Sequence, residues 1–285
     1  MAGVKLANLL RRQNLARPVW FVNLIKKAFP QRFWLAKLTN LPLVGDVVDW
    51  GLFNGDDIYY IPTDRSLVVN ESISNPGDYV LPSQIVDHFI NTANHLWVMD
   101  FCLCREGNQC TDYSQQLGCL FLGEAVHQIN PKLGRHVSRE EAHQHIERCR
   151  EAGLVHMIGR NKLDAIWLGA GPGEKLMTIC NCCPCCCLWK FLPDITPRIS
   201  AKVNRLPGVS VTVNDSCLGC GDCTQGICFV DAIQLVDDHA QIGVNCRGCG
   251  QCVDVCPNEA IELSIQEKDF VDHTIHHITQ LVDVD

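Results

Sequence analysis

Apolar residues in this chain recur at two periods, and the switches between them mark its elements. Behind Pro82 and Ser83, with Ser83 as N-cap, Ile85, Val86, Phe89, Ile90 and Ala93 form one helical stripe. Residues 96–101 then read as a strand and 118–129 as a second helix. A third helix starts at Ser138, where Ser138-Arg139-Glu140-Glu141 makes a capping box, and stops at Gly153. Two short apolar strands follow, 155–158 and 165–168, with a turn near Asn161. Further on the period drops to two: Val209, Val211 and Val213 alternate with polar residues. Gln241-Ile242-Gly243-Val244 opens a second such passage. Helix-like stretches with apolar exits lie at Val230-Asp231-Ala232-Ile233 and Asn258-Glu259-Ala260-Ile261. Residues 208–266 thus read as two copies of strand, loop, short helix, strand. Phe270, Val271, Ile275, Ile278, Leu281 and Val282 predict an amphipathic C-terminal helix. At the other end Trp20, Phe21, Leu24, Ile25 and Ala28 recur at helical spacing, and Phe33, Trp34, Leu35 and Leu38 follow Pro30.

These patterns divide the chain into a basic amphipathic region (1–79), a middle domain (80–192), a linker (193–207), a repeated domain (208–266) and a C-terminal amphipathic helix (267–285). The expected fold class is α+β. Three helices and a hairpin suggest a winged-helix-like middle domain. The repeated domain suggests a pseudo-twofold (βαβ)2 arrangement.

The loops of that repeat carry the chemistry. The first holds Cys217, Cys220, Cys223 and Cys228 in CLGCGDCTQGIC; the second holds Cys246, Cys249, Cys252 and Cys256 in CRGCGQCVDVCP. Two intervening residues let a tight loop aim successive sulfurs inward. Gly219, Gly221, Gly248 and Gly250 permit close backbone approach. Pro257 ends the second run by fixing φ and removing a donor. The first run departs from the second: four residues separate Cys223 from Cys228, and Phe229 stands where the other copy has proline. Zinc also uses C-x2-C pairs, but eight cysteines in this duplicated order fit it poorly.

The second run matches the bacterial ferredoxin pattern C-x2-C-x2-C-x3-C-P, and residues 208–266 resemble the two-cluster bacterial ferredoxins. The resemblance implies a ferredoxin-like fold, one-electron transfer and two 4Fe–4S clusters with crossed ligation. Cys217, Cys220, Cys223 and Cys256 would hold one cluster; Cys246, Cys249, Cys252 and Cys228 the other. More broadly, CLCREGNQC, GCLFLGEA, REAGLVH and ICNCCPCCC resemble a group of uncharacterised iron–sulfur proteins of anaerobes that end in such a module. That wider resemblance implies a redox role and supplies neither substrate nor catalytic acid or base.

The middle domain has cysteines of its own: Cys102, Cys104, Cys110 and Cys119, then Cys180, Cys182, Cys183, Cys185, Cys186 and Cys187. Six in eight residues exceed what core packing explains. Adjacent residues cannot all aim at one metal, so some pair, stay free or serve a second centre. These ten are expected to hold at least one further iron–sulfur cluster, with Cys104, Cys110, Cys182 and Cys185 as first candidates; structural zinc and free thiols are the alternatives. Cys149 reads as a buried core thiol.

Nineteen cysteines in 285 residues would suit a secreted disulfide scaffold only in a much shorter chain. The start MAGVKLANLLRRQ lacks an apolar stretch of signal-peptide length, and no window approaches a spanning helix. The reducing cytoplasm of an anaerobe is the expected setting. Net charge is −8, unevenly placed: residues 1–40 hold eight Lys/Arg and no Asp/Glu, whereas 208–266 holds eight Asp/Glu and one Arg, Arg247. The basic segment suits either an anionic membrane surface or packing on the protein's own acidic domain or a partner. Nothing else is basic enough for nucleic acid.

Gly169-Ala170-Gly171-Pro172-Gly173 lacks the spacing of a phosphate loop. His127, His136, His143, His145 and His156 show no ligand spacing, and His273, His276 and His277 read as a solvated helix face. The expected function is one-electron transfer between a donor and a reductase partner by a polyferredoxin-like protein. An oxidoreductase subunit with an extra or active cluster in the middle domain is the alternative, and a winged-helix redox sensor is the third reading. No catalytic residue is assigned.

Overall fold

The computed structural model of the protein describes residues 16–64, 81–265 and 269–285. Its central element is a seven-stranded mixed sheet of β1 (Asp57–Ile61), β2 (Leu96–Met99), β3 (Leu120–Leu122), β4 (Gly134–His136), β5 (Val155–Arg160), β6 (Met177–Cys182) and β7 (Val203–Arg205). The strand order is β4-β2-β3-β6-β5-β1-β7. All neighbours are antiparallel except β1 and β7, which run parallel. The inner strands β2 and β3 are buried along their whole length, because both faces of the sheet are covered.

The helices are α1 (Val19–Ala28), α2 (Arg32–Leu38), α3 (Val44–Val48), α4 (Ser83–Thr92), α5 (Leu103–Gly107), α6 (Arg139–Glu151), α7 (Lys162–Leu168), α8 (Pro197–Ser200), α9 (Gln251–Asp254) and α10 (Phe270–Leu281). Strand alternation sorts the core. Leu96, Val98, Leu120, Leu122 and Ile179 meet Phe89 of α4, Ile146 of α6 and Ile278 of α10 on one face. Trp97, Met99 and Phe121 meet Val22 of α1 and Leu168 of α7 on the other.

A winged helix is not what the middle cysteines sit on. Helices α4 and α6 form as expected, and the capping box of α6 is present: Glu141 N–H donates to Ser138 Oγ (3.2 Å) and Ser138 N–H to Glu141 Oε2 (2.9 Å). The expected helix over 118–129 is instead β3 and a short 3-10 turn, Glu124–Gln128. Gly123 between them has φ +102°, and a Cβ there would come within 2.5 Å of the Lys175 carbonyl oxygen. The expected strand 165–168 is the end of α7, closed by Gly169 at φ +66°. Asp164 organises its first turn, accepting from Asn161 Nδ2 (2.7 Å) and Trp167 Nε1 (2.8 Å). The boundaries at 79/80 and 192/193 do not separate domains either: β1 from the first region and β7 from the expected linker pair with each other inside the sheet. The basic residues Lys5, Arg11 and Arg12 lie outside the described residues.

In the repeated domain, β8 (Val209–Val213) pairs antiparallel with β11 (Ile261–Ile265), and β9 (Ile233–Val236) with β10 (His239–Ile242). Each copy's first strand therefore pairs with the other copy's last. The helical turns, Asp222–Thr224 and α9, lie inside the cysteine runs; the stretches 230–233 and 258–261 are turns leading into β9 and β11. Val211, Ile233 and Leu263 join the α4–α6 core. Phe229, Val230 and Ala232 join a third core with Tyr60, Trp189 and Phe191. The repeat is thus packed into the larger sheet on two sides.

Candidate metal centres

The eight cysteines of the repeat sort into two quartets across the copies. Cys217, Cys220, Cys223 and Cys256 line one cavity, together with Leu218, Ala240 and Pro257. Cys228, Cys246, Cys249 and Cys252 line another, together with Phe229, Ile242 and Arg247. The two loops have matching backbones: Gly219 and Gly248 sit at φ +66° and +65°, Gly221 and Gly250 both at +85°, Asp231 and Glu259 both at +50°. Amide donors are matched too. Ala232 N–H donates to Cys228 Sγ (3.2 Å), and Ala260 N–H donates to Cys256 Sγ (3.3 Å). Ala240 N–H and Gly248 N–H reach Cys217 Sγ and Cys246 Sγ, each at 3.4 Å. Such bonds stabilise thiolate over thiol.

The extra residue of the first run leaves the site intact. Cys228 keeps the amide bond of its counterpart Cys256, so register is restored by that point. The surplus falls in the loop between Cys223 and Cys228, where Gly226 has φ +74° and open space beside it. Phe229, in place of proline, is buried against Tyr60 at 5.4 Å between ring centroids. The substitution trades a chain stop for an anchor onto β1.

Glycine is required at two of these positions. A Cβ on Gly219 would lie 2.3 Å from the Asp238 carbonyl oxygen, and one on Gly248 would lie 2.7 Å from Val209 Cγ1. The left-handed backbone alone costs a side chain about 1–2 kcal/mol. Gly219→Ala is therefore expected to displace Cys220 and lower iron retention by the full chain at least severalfold. An unchanged iron content would show that the loop gives way without loss.

The quartets face different surroundings. Cys220 is exposed and Leu218 beside it is 74% exposed. Cys249, by contrast, is half-buried: desolvation pushes its thiol well above the ordinary value, and that of Cys252 up to about 12. A thiolate at these positions needs a cation beside it. Four cysteines lining each cavity, with amides on their sulfurs and glycines in the loop, are a donor set that fits a 4Fe–4S cluster.

The ten middle cysteines fall into two groups. Cys102, Cys104, Cys119, Cys180, Cys182 and Cys187 line a cavity of about 260 Å³ on the α1 and α7 face of the sheet. Strand β6 explains part of this. Cys180 and Cys182 are two apart and share a face, while Asn181 points the other way to His156 Nδ1 (2.8 Å). Cys119 Sγ is 3.8 Å from Cys180 Sγ. Cys110, Cys183, Cys185 and Cys186 form the second group, with all four sulfurs within 4.8 Å of one another. Cys183 also touches the cavity. Of the four first candidates, Cys104 and Cys182 belong to the cavity and Cys110 and Cys185 to the tight group, so they do not form one site. Cys149 is fully buried, as expected of a core thiol.

Sequence patterns did not single out Arg105, which lines the same cavity and is fully buried. Its Nη1 donates to the Asn181 carbonyl (2.9 Å), its Nη2 to the Leu117 carbonyl, and its Nε has no partner. Burial works against its charge, yet the thiols of Cys102 and Cys183 hold its pKa above the usual range. A cation inside CLCREG was the available signal. Ile25 and Phe29 close the cavity from the N-terminal side. Asn108 ties that side to the cysteines: it accepts from Arg32 Nη1 (3.1 Å) and donates to the Cys104 (2.8 Å) and Cys186 (3.1 Å) carbonyls.

His145 and His156 are buried in hydrogen bonds, and His277 of α10 pairs with Asp57 (2.7 Å). Gln128 holds both the amide and the carbonyl of Gly171, which makes the glycine loop a packed connection.

Residues 245–262 match the family signature of the 4Fe-4S binding domain. The segment spans Cys246, Cys249, Cys252 and Cys256, so the chain carries an iron–sulfur binding motif. This supports an iron–sulfur protein with a redox role, and the group of close thiols adds a separate candidate metal site. No protein of curated function and no solved structure matches the chain.

Proposed function

We propose that this chain is an electron-transfer protein with two 4Fe–4S sites in a ferredoxin-like module and a third iron–sulfur centre in the cavity of the larger sheet. The observation that carries this reading is the crossed sorting of eight cysteines into two cavities with matched amide donors. Bound there, the clusters would supply one-electron chemistry. The chain's own residues set their surroundings. The Cys217 quartet has a solvent face at Leu218 and Cys220, open to an external redox partner. The Cys228 quartet faces inward, where Phe229 packs on Tyr60, and Tyr60 is itself fully buried. Cys182 and Cys187 lie in the same core as Tyr60 and Phe229, on the cavity side. This order suits a relay from a reductase partner to the cavity. Full-length protein prepared without oxygen should hold about twelve irons and matching sulfide, about four per cluster. Near-stoichiometric zinc without sulfide would sink the reading.

The cavity favours a second reading, an oxidoreductase subunit acting on a small molecule. About 260 Å³ and six thiols leave room beside the four ligands that one cubane uses. Turnover of a small substrate by the reduced full chain separates this from electron transfer alone. The redox-sensor reading loses its support with the winged helix.

A membrane-surface role is also part of this proposal. No helix among the described residues is long and apolar enough to cross a membrane. The N-terminal helices do pack inward through Val22, Phe29 and Ala36. They nevertheless leave Trp20 67%, Trp34 60% and Trp50 74% exposed, with Leu24, Leu35 and Leu43 also exposed and Lys27 and Lys37 among them. Exposed Trp and Leu with nearby Lys are the composition of an interfacial segment. The full chain should sediment with phosphatidylserine vesicles and not with pure phosphatidylcholine. Trp20→Ser with Trp34→Ser should lower that binding at least tenfold; equal binding by both proteins would place the contact elsewhere.

A further inference from the structure

The tight thiol group differs in kind from the other sulfur sites. The sulfurs of Cys110, Cys183, Cys185 and Cys186 all lie within 4.8 Å of one another. Cys110 Sγ is 3.6 Å and Cys183 Sγ is 3.5 Å from Cys185 Sγ. Zinc–thiolate bonds of about 2.3 Å place the sulfurs of a tetrahedral site about 3.8 Å apart. A cubane must fit eight core atoms between its thiolates and therefore spreads them further. The spacing here is that of one ion.

The local chain explains how neighbouring cysteines converge. Cys183 follows the end of β6, Pro184 fixes φ, and Cys185 and Cys186 continue the turn. That turn lets adjacent residues contribute to one site, which the sequence alone argued against. Cys110 arrives from the other side, its loop held by Gln115 Nε2 on the Cys110 carbonyl (2.9 Å) and by Cys110 N–H on the Arg105 carbonyl (2.9 Å). Cys110, Cys183 and Cys186 are buried, with Cys149 and Leu154 packed beside them. Close thiolates in such a place repel, and a bound cation relieves the repulsion.

We infer that Cys110, Cys183, Cys185 and Cys186 form a mononuclear tetrathiolate site for Zn2+. The inference does not rest on the electron-transfer reading. A closed set of four protein ligands makes the site structural, with no open coordination position. It joins the loop after α5 to the turn after β6, and through Cys183 it braces one wall of the six-thiol cavity.

The test uses the full chain purified without oxygen, with metals counted by mass spectrometry. The wild type should hold about one zinc per chain in addition to its iron. Cys185→Ser, chosen because Cys185 is the exposed ligand, should lose that zinc at least tenfold faster to a chelator while iron and sulfide stay constant. Protein loaded with Co2+ in place of zinc should show the near-ultraviolet thiolate charge-transfer band and the intense visible d–d bands of a tetrahedral thiolate site, and Cys110→Ser should weaken the charge-transfer band. The inference is overturned if the wild type binds no zinc, if iron occupies the site, or if Cys185→Ser loses iron and sulfide together. A Cys110–Cys185 disulfide in the anaerobic protein would also overturn it.

Discussion

On the two-cluster reading proposed above, replacing Cys256 by alanine should abolish the cluster assigned to Cys217, Cys220 and Cys223, and leave the one assigned to Cys246, Cys249 and Cys252 in place. Proximity in sequence argues for the opposite result, since Cys256 is only four residues from Cys252. The fold decides against proximity. Pairing of β8 with β11 brings the exit of the second run beside the entrance of the first. Cys256 consequently lines the cavity of Cys217, and the Ala260 amide holds its sulfur there. The mirror substitution, Cys228→Ala, should remove the other cluster. Each variant should lose about four irons, and EPR of the reduced protein should show one of two signals missing. Loss of the sequence-adjacent cluster would refute the crossed assignment. Loss of both by either variant would mean that the module cannot fold with one site empty.

How far the chain could be read depended on whether a feature was local. The cysteine runs and their glycines encode their own loop geometry, so the second run was legible as an iron–sulfur binding motif before any fold was known. The capping box at Ser138 was legible for the same reason. The seven-stranded sheet was not, because β1 and β7 are short strands, 57–61 and 203–205, whose pairing closes over about half of the chain. No local period announces such a partner. β3 was misread because its three apolar residues are buried on both faces, and continuous burial has no period. The middle cysteines were recognised as metal candidates, but their division was hidden. It depends on the direction of β6 and on the turn after it: Cys180 and Cys182 share a face with the cavity, while Cys183, Cys185 and Cys186 turn toward Cys110.

Arg105→Met is expected to act with opposite signs on the empty and the loaded protein. The guanidinium is fully buried, its Nε is unpartnered, and among the described residues no carboxylate forms an ion pair with it. The ionisable groups that face it are thiols, Cys102 and Cys183 foremost, neutral until deprotonated. A buried cation without an ionised counter-charge is costly to desolvate, and an apolar side chain of similar volume avoids that cost, which offsets the two carbonyl bonds it gives up. The metal-free Arg105→Met protein should therefore melt no lower than the metal-free wild type. With a cluster in the cavity the balance reverses, since several thiolates then share one low-dielectric space and Arg105 is the cation that offsets them. The loaded variant should retain about four fewer irons than the wild type, with both signals of the repeated module unchanged. Arg105→Lys keeps the charge but loses the fork that holds the Asn181 and Leu117 carbonyls, so its iron content should fall between the two. If Arg105→Met keeps full iron and only the metal-free protein is destabilised, Arg105 serves to pack the loops, and the cavity does not hold an anionic centre.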